Sequence, residues 1–345
     1  MTHSSLAGSI EELRFSHIPA EPAAVHRRPT DLGELTLGRK TFRLLERLGS
    51  SDRERYRALD PLAGPRGDLR AIHVLPATPE VKQHLDVLQR LADLRNANVP
   101  FLVEYHRQGE KTYLVLAWVK GTPLDERVTR IREGRDEPFS AFTACKLIRG
   151  LAHGLTQLHD RWNVNHGDIK PANLILAPGG RSLATIDFGS AWLSERTMTR
   201  DPGDGVSGVY TAPELLMGGI PSARSDQFSV SVVWYEMLTR ELPYDGVGGK
   251  AGLPTYRTTL EGKLIPPSEL AKNAGHVPRG LWKQIDSAVC QGLALDPDRR
   301  FPSRRPWLDA LDQVQDEFRR RGTLRGWNLK VVDFLTRRVS PRAPF

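Results

Sequence analysis

In the stretch NHGDIKPANLIL, Asn165 to Leu176, an aspartate, a lysine and an asparagine fall close together, at Asp168, Lys170 and Asn173. A second aspartate, Asp187, begins the glycine-flanked turn in TIDFGSAW, Thr185 to Trp192. The flanking segments are apolar, and charged groups in such surroundings are costly unless something neutralises them. Two carboxylates and an amide oxygen suit a hard cation such as Mg²⁺, and a lysine beside them suits a phosphate. That combination is the chemistry of phosphoryl transfer. A single aspartate here would read as a cap or turn residue; the whole set at this spacing does not.

These groups need elements that bring them together. LILAPGGRSLATI reads as strand, Pro-Gly-Gly turn, strand, a hairpin that returns the chain so that Asp187 approaches Asp168 and Asn173. Just upstream, Ile148, Leu151, Ala152, Leu155 and Leu158 repeat at helical spacing. The first third alternates instead, with strands expected at Phe42–Leu48, Arg55–Leu59, Leu69–Leu75 and along YLVLAWV. Among them one helix is expected from Val81 to Leu94. A strand-rich first third followed by a helical remainder implies an α+β fold in two lobes. The expected organisation is a flexible arm over residues 1–39, a body over 40–316 divided near 121/122, and a basic amphipathic tail over 317–345.

With 345 residues the chain can bury a sizeable core, and 39% hydrophobic with 26% charged residues is ordinary globular composition. Two distant cysteines, Cys145 and Cys290, argue against a disulfide framework or zinc site and fit a reducing compartment. No signal-peptide pattern or membrane-length apolar run is visible, so a cytoplasmic protein is expected. The net charge of +8 is concentrated near the C-terminus, where Arg319, Arg320, Arg321, Arg325, Lys330, Arg337, Arg338 and Arg342 stand against Asp333. No nucleic-acid-binding motif accompanies it, and no nucleic-acid partner is expected. In the tail, Trp327, Val331, Phe334 and Leu335 can share one helical face, which suggests docking on the body, with contact at an anionic membrane surface as the alternative.

Over roughly residues 40–316 the sequence resembles the eukaryotic-type serine/threonine protein kinases. The resemblance implies a two-lobed fold, a β-rich small lobe with one main helix and a larger helical lobe, using ATP and Mg to phosphorylate a protein serine or threonine. Asp168 then matches the catalytic-loop aspartate that accepts the substrate proton, and Lys170 the lysine placed against the γ-phosphate. Asn173 and Asp187 match the metal ligands. Ser207 falls where the family places a threonine that steadies the catalytic aspartate and lysine. In VYTAPELL, Glu214 matches the buried acid whose partner is Arg300 of LDPDRRFPS, and Asp226 the residue that braces the catalytic loop. LAWVKGTPL resembles the hinge, with Leu116 as gatekeeper and backbone groups at Ala117, Trp118 and Val119 toward adenine. His166 is expected to pack and brace. Gly167 replaces the arginine that answers a phosphorylated activation segment, so that switch is less expected.

The small lobe departs from the family. In LGSSDRERYRALDP only Gly49 of the glycine-rich loop survives, and Glu54 would repel a triphosphate unless it turned outward. His73 stands where the strand lysine belongs, with no lysine between Lys40 and Lys82. The expected helix has no glutamate at the partner position, which aligns best with Val87, the nearest acid being Asp86. Loss of one preorganised donor typically costs about 10²–10³ in rate, which leaves a slow enzyme rather than a dead one. His73 as imidazolium, or Arg53 or Arg55, are the candidate substitutes. Slow serine/threonine transfer is the leading reading. A nucleotide-binding or scaffolding pseudokinase, and another phosphoryl or nucleotidyl transfer on this fold, are the alternatives.

Overall fold

The computed structural model describes residues 32–49, 54–91, 100–193, 208–271 and 277–338. The small lobe is built from β1 (Glu34–Leu37), β2 (Lys40–Arg47), β3 (Glu54–Asp60), β4 (Asp68–Pro76), helix α1 (Pro79–Leu91), β5 (Leu102–Gln108) and β6 (Lys111–Ala117). Its strands form one antiparallel sheet in the order β1-β2-β3-β4-β6-β5. Antiparallel pairing sets opposite residues on a common face. Leu37, Phe42, Ala58, Ile72 and Val115 accordingly collect in an outer cluster, while Leu114 and Leu116 join the core shared with the large lobe.

The large lobe follows, with β7 (Thr122–Pro123), α2 (Leu124–Arg132), α3 (Ala141–Trp162), β8 (Val164–Asn165), β9 (Leu174–Leu176), β10 (Leu183–Thr185) and β11 (Trp192–Leu193). The helices α4 (Pro213–Leu216), α5 (Ala223–Thr239), α6 (Pro254–Leu260), α7 (Pro267–Leu270), α8 (Arg279–Gly292) and α9 (Arg304–Arg338) complete it. Helix α5 is buried on every side from Ser225 to Thr239, the pattern of a central helix. Ser222 and Ser225 start it with a reciprocal capping box. Ser140 caps α3 by accepting from Thr143 N, and Asn163 ends it in the left-handed conformation. Among the described residues no helix is long and apolar enough to cross a membrane.

Two expected boundaries move. β1 lies inside the stretch read as a flexible arm, pairs with β2 along its whole length, and buries Leu37 completely. Helix α9 runs through the expected break at residue 316 without interruption. It is carried across by the edge-to-face contact of Phe318 with Phe142 and by pairs from Glu317 to Arg320 and Arg321. The side chains expected to form the tail's apolar face, Trp327 to Leu335, lie outside the described residues. Helix α1 is described from Pro79 to Leu91, and its expected end at Leu94 lies outside the described residues.

Candidate active site

The loop from Asn165 to Asn173 is fixed from below. Asp226, in the first turn of the buried α5, accepts hydrogen bonds from His166 N and Gly167 N, both at 2.9 Å, and pairs with His159 Nε2 at 3.0 Å. Burial opposes its charge, but the His159 pairing and these backbone donors prevail and hold its carboxyl below the usual range. Gly167 has φ +74, and a Cβ there would meet Ser190 O at 2.8 Å and Pro221 Cγ at 2.9 Å. The backbone has closed over the place where an arginine would project, so glycine is required here. His166 donates to Ile186 O at 3.1 Å, accepts from Asp168 N at 3.3 Å and stacks obliquely on Phe188, which is a bracing role.

Above this base the polar set converges. The β9–β10 hairpin forms as expected, and Ile186 N bonds to Asn173 O at 2.9 Å, which draws the two motifs together. Asn173 Nδ2 donates to Asp168 O at 2.8 Å and to Asp168 Oδ2 at 2.9 Å. This commits the amine end to Asp168 and turns the amide oxygen away from it. Lys170 Nζ lies 2.9 Å from Asp168 Oδ2. Asp187 holds a left-handed backbone (φ 62, ψ 75), a strained state for a residue with a side chain and one that clusters at functional sites.

Asp187 is met from the small lobe by Arg55, whose Nη2 donates to Oδ2 at 2.8 Å. His73 and Arg55 are cross-strand partners and share the cleft face. Helix α1 does not turn Val87 to this centre in the place expected of the glutamate. Val87 is wholly buried in the core, and His84 faces Asp187 and Gly189. His84 lies one turn before the buried Leu88 on that face of the helix. Burial penalises the Asp187 carboxylate, yet Arg55 outweighs it, with His73 and His84 adding, and the carboxyl stays well below its ordinary range. His84 is itself pushed down to about 4 by burial, against the pull of Asp187, so at neutral pH it carries no charge and Arg55 remains the principal counter-ion.

A folded-state pKa depressed below the unfolded value means that the unfolded chain binds the extra proton first. His84 should therefore cost the fold stability as pH falls from about 6.5 towards 4. Between pH 7 and 5 the expected loss is about 2 kcal/mol. Urea unfolding of wild type and His84→Phe in magnesium-free buffer measures it. An equal pH slope in the two proteins would remove His84 from the account.

The end of the cleft that the resemblance assigns to a nucleotide is less complete. Gly49 ends the described part of its loop with φ +74 and with no atom of the described residues within 4 Å of its Cβ position. Glu54 is turned outward and pairs with Lys111 at 3.1 Å, which removes the expected repulsion. Leu116 is buried at the back of the cleft, Ala117 N is bonded to Phe101 O at 3.0 Å, and Trp118 and Val119 are half-buried at the hinge. Ser207 and Arg53 lie outside the described residues. The donor set suits Mg²⁺: Asn173 and Asp187 offer hard oxygens, and no cluster of three or more His, Cys, Asp or Glu among the described residues forms a closed protein cage. Two protein ligands with the rest from water and phosphate is how Mg²⁺ is usually held. Far below, Arg300 and Glu214 form a two-pronged pair at 2.6 and 2.8 Å, as the resemblance implied.

The description "protein kinase domain" fits a family model matching residues 70–304, about two thirds of the chain. Human ribosomal protein S6 kinase alpha-4 is 29% identical over 229 residues, covering 64% of this chain and 27% of that protein. Bovine mitogen-activated protein kinase kinase kinase 7 is 29% identical over 237 residues, covering 67% and 37%. Serine/threonine-protein kinase Pkn1 of Myxococcus xanthus is 24% identical over 283 residues, covering 79% and 38%. The chain thus matches about a quarter to two fifths of the length of these relatives.

Proposed function

The chain belongs to the protein kinase family, and from that premise we propose that it transfers the γ-phosphate of ATP to serine or threonine hydroxyls of a protein, slowly, with Arg55 in the role of the missing lysine. The observation that carries this reading is the Arg55–Asp187 pair, beside an intact group of Asp168, Lys170 and Asn173. Bound Mg-ATP would supply the phosphoryl group and the cation that spreads its charge. The Asp168 carboxylate, oriented by Asn173 and Lys170, would take the proton from the acceptor hydroxyl. Lys170 would set positive charge beside the transferring group. Asp187 and Asn173 would hold the cation through their oxygens. Arg55 reaches the cleft from β3 rather than β4, where His73 stands, and would both orient Asp187 and face phosphate oxygens with its remaining donors. The similarity to serine/threonine kinases supports a protein acceptor, and a cytoplasmic setting remains in keeping with the composition.

Two variants assign the lysine role. Arg55→Ala should reduce autophosphorylation from γ-labelled ATP by about 10²–10³, and Arg55→Lys should recover part of it. His73→Ala should cost less. The reverse order would give the role to His73. A wild type that binds Mg-ATP and transfers nothing would make the protein a pseudokinase, and label transferred from α-labelled ATP would indicate nucleotidyl transfer.

A further inference from the structure

The cleft face of the small-lobe sheet carries an arginine beside the space that a nucleobase needs. β3, β4 and β6 align Arg57, Ala71 and Leu116 in one cross-strand row. Leu116 and Ala71 pack in the core shared with the large lobe, whereas Ala58, Ile72 and Val115, their sequence neighbours, pack in the outer cluster. Arg57 therefore projects from the cleft face. Two strand spacings, roughly 10 Å, separate its backbone from that of Leu116, and the residue between them, Ala71, is small. Yet the Arg57 guanidinium lies 5.6 Å from the centroid of the Trp118 ring, two residues beyond Leu116 at the hinge. The two side chains together span the sheet across Ala71. Arg57 Nη1 donates to Glu46 at the exposed rim, at 3.2 Å, while its Nε is buried with no hydrogen-bond partner among the described residues. An unmet buried donor is costly, so the guanidinium is not held in place by a full set of hydrogen bonds.

We propose that Arg57 and Trp118 form a bridge that closes the base end of the cleft, that a purine base enters by parting it, and that Arg57 thereby sets the protein's nucleotide affinity. This rests on the nucleotide reading of the cleft given above. A base bonded to the hinge backbone and packed against Ala71 and Leu116 needs the volume the bridge crosses. Entry then forfeits the contact of a cation with an indole face, an interaction equivalent to about 2- to 30-fold in affinity.

ATP titrations by calorimetry on the full chain test it, with Arg57→Val, Trp118→Leu and the double variant. Each single change should tighten ATP about three- to tenfold. The double change should tighten it no further than either single, because all three remove the same contact. Glu46→Gln removes the rim ion pair alone and should leave ATP affinity unaltered. ATP bound only by the bridge-less variants also supports the proposal, with the bridge holding the wild type shut. If the wild type binds ATP and neither Arg57→Val nor Trp118→Leu tightens it, the bridge is overturned while the nucleotide reading stands. If neither wild type nor any variant binds ATP or ADP, the nucleotide reading itself fails and takes the bridge with it.

Discussion

Asp187→Asn should abolish magnesium-dependent phosphoryl transfer, with a fall of at least about 10³. The side chain is buried, strained in its backbone, and carries the charge that Arg55 answers. The amide keeps the shape but removes the negative charge, which leaves a cation ligand weakened and the Arg55 guanidinium without its partner. Asp168→Asn should remove transfer to a similar degree for a different reason, since an amide cannot take the acceptor's proton. The two are separated by calorimetry: nucleotide binding should lose its magnesium dependence in Asp187→Asn and keep it in Asp168→Asn. Autophosphorylation at wild-type rate in both variants would show that the catalytic assignment is wrong.

The second large effect is on stability. Arg300 is fully buried, binds both oxygens of Glu214, and also donates to Ala294 O at 2.8 Å and Arg224 O at 3.0 Å. Its guanidinium further lies over the Phe228 ring at 4.8 Å. Removing Arg300 leaves the Glu214 carboxylate, 21% exposed, without its partner at the edge of the core, a loss that for buried pairs typically costs about 3–5 kcal/mol. Arg300→Met should therefore lower the melting temperature by roughly 6–20 °C for a lobe of this size. Adding Glu214→Leu should recover part of the loss, because the stranded charge disappears. Full recovery is not expected, since the carbonyls of Ala294 and Arg224 still lack their donor. A melting curve within a degree or two of wild type for Arg300→Met would contradict this account.

The legible part of the site was the part that is local in sequence. Asp168, Lys170 and Asn173 lie within one short loop, and the Pro-Gly-Gly turn announces the hairpin that returns Asp187 to them. The small lobe was harder for a geometric reason. Arg55 could be named among the substitutes for the lysine, but only the β3–β4 register sets it opposite His73 and on the cleft face. A slip of one residue would have turned the same arginine to the outer cluster. His84 was missed because an alignment of α1 without its rotation favours Val87, and one helical residue is a turn of 100°. β1 was missed because its polar–apolar alternation lasts only four residues, too short to mark a strand until β2 supplies the pairing. The C-terminal boundary failed similarly: charge concentration marks solvent exposure, and an exposed helical face can continue a helix whose other face is packed.

The packing of α9 on α3 also bears on the order in which the chain can acquire its structure. Asp312 receives Arg149, 163 residues earlier, and His153 at 3.0 Å, while Trp307, Leu311 and Val314 lie in the core on the same helix. Contacts so distant along the chain form late and slow the folding of the domain that depends on them. At about 5–20 residues per second, a ribosome needs roughly 8–33 seconds to make the intervening segment. Throughout that interval α3 is present without α9 beside it. The helix that leads directly into the candidate catalytic loop is thus exposed to aggregation and to chaperones on the timescale of synthesis, and slowing translation across the α8–α9 region should lengthen that exposure.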